Sequence, residues 1–144
     1  MYENILLPTD GSDGTDRVVE HAIHLARGSG ATVHVLHVVD TSALPLDAHS
    51  QHVYDELESA GLDSVVEIRD GALEAGVHAV EAVREGTPYR EILAYADEHD
   101  VDLVVIGTHG RNGLRRRVLG SVAERVVRCA EAPVLTVRTS PPED

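Results

Sequence analysis

The sequence predicts an α/β fold: a single domain built on an open parallel sheet of five strands with helices on both faces. Three observations carry that prediction. Short runs rich in Val, Ile and Leu alternate along the chain with longer stretches whose apolar residues recur at helical spacing. The short runs are apolar on both faces, as parallel strands covered by helices on each side are. Gly, Pro and Asp punctuate most of the boundaries between them.

The elements follow in order. Tyr2 to Leu7 is a buried strand, ended by Pro8, Thr9, Asp10 and Gly11. Thr15 to Arg27 is a helix whose inward stripe is Val18, Ala22, Leu25 and Ala26, closed by Gly28 and Gly30. Thr32 to Val39 is the second strand, and Asp40 to Ala48 a loop around Pro45. The stretch from His49 to Ala75 contains a strand-like Val65-Val66-Glu67-Ile68. Yet Val53, Leu57, Gly61, Val65, Ile68, Ala72 and Ala75 lie on one helical stripe, which predicts a single long helix with a weak point at Gly61. Gly76 ends it, and Val77 to Val83 is the third strand. Thr87 as N-cap and Pro88 at the first helical position open a helix to Glu98, with Ile92, Leu93 and Ala96 inward. Val101 to Ile106 is the fourth strand. A glycine-rich loop from Gly107 to Gly120, a helix from Ser121 to Cys129 and a last strand from Val134 to Val137 complete the domain, residues 1–139. The polar tail, 140–144, is expected to fray. Cys129 is expected to be a small core residue.

Composition narrows the chemistry. The formal net charge is -13, and all 12 basic residues are arginines. Such acidity disfavours nucleic acid and anionic membranes as partners, and the absence of lysine matches adaptation to high salt. Without lysine there is no P-loop and no Schiff-base chemistry. The acidic N-terminus does not read as a signal peptide, no apolar run is long enough to span a bilayer, and one cysteine permits no internal disulfide; the expected location is the cytoplasm.

Ligands of open α/β sheets bind at the carboxyl ends of the strands, where strand order reverses. With strand order 3-2-1-4-5 the reversal lies between strands 1 and 4, where Pro8-Thr9-Asp10-Gly11-Ser12 meets Gly107-Thr108-His109-Gly110-Arg111-Asn112-Gly113. Gly107 and Gly110 allow a tight turn whose backbone N–H groups can cradle an anion. Gly120-Ser121 opens a helix, whose free N–H groups and dipole suit a phosphate. From Arg111 to Arg128 six arginines face one acid, Glu124, a local balance of +5. Those arginines suit a polyanion or, more blandly, surface ion pairs. Asp10 could accept hydrogen bonds from a ribose, hold a divalent cation, or cap the following turn.

These residues match a known family. Gly107-x2-Gly110-x9-Gly120-Ser121, the opening Ile5-Leu6-Leu7-Pro8-Thr9-Asp10-Gly11-Ser12, the run Val104 to Arg111 and the ending Ala132 to Arg138 resemble the ATP-binding branch of the universal stress protein family over essentially the whole chain. The resemblance implies a Rossmann-like sheet of order 3-2-1-4-5 and ATP, or another adenine nucleotide, as ligand. It puts adenine and ribose near Pro8, Thr9, Asp10, Val39 and Gly107. Phosphates would lie over Gly110, Arg111, Gly120 and Ser121, with Mg or Mn, and His109 and Val122 complete the expected binding set. It also implies a homodimer joined through Val134 to Val137, which would cover an edge strand. The family's role is nucleotide-dependent regulation under stress; alternatives are slow Mg- or Mn-dependent hydrolysis in the same pocket, or an interaction module with a vestigial pocket. No convincing general base stands in the sequence: His109 could activate water, but a loop histidine more often packs or donates to phosphate.

Nine histidines include three H-x-x-H pairs: His21/His24, His34/His37 and His49/His52. A transition-metal site is the sharp reading and scattered surface and half-buried histidines the bland one. On a strand, His34 and His37 must point to opposite faces.

Overall fold

The computed structural model describes residues 2–11, 15–41, 48–108 and 119–139. In chain order the elements are β1 (Asn4–Pro8), α1 (Thr15–Ser29), β2 (Thr32–Asp40), α2 (Ala48–Glu74), β3 (Ala79–Gly86), α3 (Pro88–Glu98), β4 (Leu103–Gly107), α4 (Ser121–Cys129) and β5 (Val134–Val137). The five strands form one sheet in the order β3-β2-β1-β4-β5, and every pairing is parallel.

Alternation along the strands divides the core in two. Ile5, Leu7, Val33, Val35, Leu103 and Val105 point to the face covered by α1 and α2, where they meet Val18, Ala22, Ala26, Val65 and Ala72. Leu6, Leu36, Val104 and Ile106 point to the other face, against Ile92 and Tyr95 of α3 and Ala123 and Val126 of α4. Both faces being apolar, β1 and β4 are buried almost throughout, which explains their unbroken hydrophobic runs.

The long helix is one helix. Gly61, Val65 and Ala72 are buried on its inner stripe, and Val53, Leu57, Ile68 and Ala75 are half-buried along the same line. The strand-like Val65-Val66-Glu67-Ile68 therefore yields to the longer helical period. Leu25, expected in the stripe of α1, is only half-buried.

Further expectations need correction, and β1 and β4, like β3, start two residues later than expected, at Asn4 and Leu103. β3 runs Ala79–Gly86, two residues late at its start and three beyond Val83 at its end. Val77 belongs to the close of α2, its N–H bonded to the Ala72 carbonyl at 2.9 Å. The strand's far end stays paired with β2 through Asp40↔Gly86 although its side chains are polar, because β3 is an edge strand. Thr87 does stand at the N-cap with Pro88 following, but its side chain makes no capping bond. Cys129 is exposed. α4 buries Ala123 and Val126, and residue 129 falls off that stripe. Residues 140–144 lie outside the described residues.

No described helix is long and apolar enough to cross a membrane.

Candidate functional site

The strand order places the reversal at the β1–β4 boundary. β1 pairs with β2 on one side and with β4 on the other, through Ile5↔Leu103 and Leu6↔Val104. Carried forward, that register sets Thr9 beside Gly107. The ends of β1 and β4 thus lie side by side at the carboxyl edge of the sheet, the position where open α/β sheets take their ligands.

On the β1 side the loop is held by Thr9. Its N–H donates to the Leu36 carbonyl at 2.9 Å, which carries the strand pairing one step past Pro8. Its hydroxyl accepts the Gly11 N–H at 3.1 Å, a short side-chain turn. Gly11 has φ +75, in the left-handed region that a glycine occupies at no steric cost. Pro8, Thr9 and Asp10 are half-buried, and Val39 on the neighbouring strand is 2% exposed.

On the β4 side, the chain that leaves Thr108 comes back to it. The Gly120 N–H donates to the Thr108 carbonyl at 2.6 Å, while the Thr108 N–H donates to the Val137 carbonyl at 2.9 Å. Gly120 is the N-cap of α4, with extended φ -61 and ψ 159. As a glycine it offers no side chain to its helix. The first-turn N–H groups of Ser121, Val122 and Ala123 accordingly face outward without intrahelical acceptors, at the positive end of the dipole. Ser121 is exposed and Val122 half-buried. The start of α4 therefore stands directly beside the end of β4. His109, Gly110 and Arg111 lie outside the described residues, as do Ser12 and the arginines at 115, 116 and 117.

The structure thus brings together Pro8, Thr9, Asp10, Val39, Gly107, Gly120, Ser121 and Val122 at one edge of the sheet. The two described arginines of the basic segment are engaged otherwise. Arg125 stacks 4.8 Å over the Tyr89 ring, and Arg128 pairs with Glu124 one turn away. The ion-pair reading holds for Arg128, whereas Arg125 lies on an aromatic ring.

Among the described residues no three His, Cys, Asp or Glu side chains come together as a metal site. His21 and His24 are exposed on α1, and His52 pairs with Glu56 at 3.2 Å. His34 and His37 are buried on opposite faces of β2, as their spacing requires. His34 shares hydrogen bonds with the Tyr95 hydroxyl at 2.7 Å and Asn4 Oδ1 at 3.0 Å, and burial, then the nearby His99, lowers its pKa. His37 Nδ1 lies 2.9 Å from the Thr9 carbonyl oxygen. The sequence shows His37 only as half of a histidine pair and carries no sign of its contact with Thr9.

A model of the universal stress protein family matches residues 1–138. The chain belongs to the universal stress protein family. A universal stress protein of Methanocaldococcus jannaschii is 38% identical over 141 residues, covering 96% of this chain and 83% of its relative. Universal stress protein UspA from Lactobacillus plantarum superposes with a TM-score of 0.88 at 29% identity, covering 95% of this chain and 98% of the other. A universal stress protein in complex with cAMP has a TM-score of 0.74 at 30% identity, covering 96% and 99% of the two chains. One from Archaeoglobus fulgidus in complex with dAMP has a TM-score of 0.64 at 28% identity, covering 94% and 97%. Adenine nucleotides are thus bound by structural neighbours within the family, on the same fold.

Proposed function

We propose that this universal stress protein binds an adenine nucleotide, with ATP as the ligand, and acts as a nucleotide-dependent regulator in the cytoplasm. One observation carries the reading: the Gly120–Thr108 hydrogen bond, which seats the N-terminus of α4 beside the end of β4, at the switch point of the sheet. Phosphates belong at Gly120, Ser121 and Val122, together with His109, Gly110 and Arg111. Adenine and ribose belong at Pro8, Thr9, Asp10, Val39 and Gly107, with the Asp10 carboxylate accepting from ribose hydroxyls. The donors are backbone N–H groups, a hydroxyl and arginine, so the missing lysine is no obstacle. Mg or Mn bound with the nucleotide would offset the phosphate charge, and the Asp10 carboxylate is a side chain that could hold it.

The reading is of binding rather than turnover. Titration calorimetry with ATP and Mg at high salt tests it, on the wild type and on a protein carrying Gly110→Val and Gly120→Val. Micromolar binding that the double variant loses is the expected result. A folded wild type that binds no adenine nucleotide would leave an interaction module with a vestigial pocket.

A further inference from the structure

Thr9 is gripped from three directions, and the grip on its carbonyl comes from a side chain. Consecutive residues of β2 hold one residue of the loop: Leu36 accepts the Thr9 N–H through its main chain, and His37 reaches the Thr9 carbonyl through Nδ1, at 2.9 Å in both cases. A carbonyl can only accept, so Nδ1 carries the proton. Nε2 then faces α2.

The ring has room because of a glycine. A Cβ on Gly61 would lie 2.1 Å from His37 Cδ2 and 2.7 Å from Nε2, so any other residue would collide with the imidazole. One turn further along α2, Ser64 Oγ lies 3.6 Å from where a Cβ on Gly11 would be. The same helix therefore backs the histidine and flanks the loop. His37 is 9% exposed, a buried polar ring that reaches the loop through its hydrogen bond to Thr9.

We propose that His37 is a positioning residue for the nucleoside half of the ligand: its Nδ1–H fixes the Thr9 carbonyl, and so the direction of Asp10 toward a ribose, while Gly61 of α2 seats the ring. The inference rests on the nucleotide reading above and deepens it. It divides the site by function. His37 governs adenosine recognition, whereas the phosphate end, built on α4, is independent of it.

The test measures binding of ATP, adenosine and inorganic tripolyphosphate by calorimetry, for the wild type and for His37→Leu, His37→Asn and His37→Gln. Losing the bond weakens ATP and adenosine by the same factor, about tenfold for Leu. Tripolyphosphate changes by less than about twofold, because its donors lie on another element. Asn, whose amide nitrogen stands where Nδ1 does, recovers ATP to within about threefold of the wild type, and Gln, whose nitrogen is one bond too far, does not. The Asn–Gln comparison suffices should Leu fail to fold. Equal ATP binding by all four proteins, parallel loss of ATP and tripolyphosphate, or Asn no better than Gln would each overturn the proposal. Amide exchange without ligand tests the loop itself. The Thr9 and Gly11 N–H groups should exchange faster in Leu and Gln than in wild type and Asn, and unchanged exchange overturns the positioning role. A wild type that binds none of the three ligands instead removes the nucleotide reading, with the exchange result still deciding whether His37 holds the loop.

Discussion

His34 and His37 stand on one strand, yet the sheet sends them to different work. His37 faces α2 and the Thr9 loop. His34 faces α3, where Tyr95 stacks on His99 with ring centroids 3.8 Å apart and the Arg84 guanidinium lies 4.8 Å from the Tyr95 ring. Parity along the strand foretold the opposite faces, but not these partners. His34 is held between the neutral Asn4 and Tyr95, with the His99 ring centroid 5.5 Å away. With its folded-state pKa lowered by burial and by His99, His34 binds a proton more readily in the unfolded chain. Its contribution to stability is present above the ordinary histidine value of about 6.5 and is lost as pH falls through the lowered folded value. Melting temperature should therefore drop more steeply between pH 7.5 and 5 in the wild type than in His34→Gln; identical slopes would assign the acid sensitivity to other groups.

At the scale of elements, α2 shows how much one glycine's surroundings matter. Gly61 lies on the inner stripe of α2 and Gly71 on its exposed side, each at a propensity cost of roughly 1 kcal/mol against Ala. Gly71 has nothing within 4 Å of a would-be Cβ, whereas Gly61 has the His37 ring. Gly71→Ala should stabilise the protein by about 0.5–1 kcal/mol. Gly61→Ala should instead destabilise it by about 1–3 kcal/mol, since the imidazole must leave its place. Urea denaturation of both variants checks the pair, and stabilisation by both would mean that α2 can shift away from β2 at little cost. The helix itself was legible because its period persists over many turns. The bounds of β3 were not, since an edge strand can be polar and still pair, as Arg84, Glu85 and Gly86 do with β2.

The whole molecule is a sheet with two edges, and its far edge, β5, is short. The Pro133 and Val137 carbonyls accept from Val104 of β4 and from Thr108 just past it, so by alternation the main-chain groups of Val134 and Thr136 point away from β4. Thr136 is also exposed. The homodimer through Val134–Val137 that the family resemblance implies would use those groups. Thr136→Pro removes the outward N–H without touching the ladder to β4. Sedimentation equilibrium should find the wild type dimeric and this variant monomeric, with its melting temperature lower in proportion to the lost association. A variant that stays dimeric would move the interface to the helix faces. Long-range charge would oppose any association of chains at net -13, so the comparison belongs at high salt.

By itself the sequence determined the element order, the parallel sheet, the inward stripes of α1 and α2, and the switch point where the ends of β1 and β4 lie side by side. All of these follow from local periodicity, from turn chemistry and from the rule that a strand apolar on both faces must be covered on both. The family was legible for a related reason, because glycines at fixed spacing leave a mark that packing cannot blur. Tertiary structure alone decided that Gly120 returns to Thr108, that Cys129 falls off the buried stripe of α4, and that His37 crosses from β2 to hold the carbonyl of Thr9. Each of these depends on residues distant in sequence approaching within a few ångströms, and spacing along the chain carries no record of such distances.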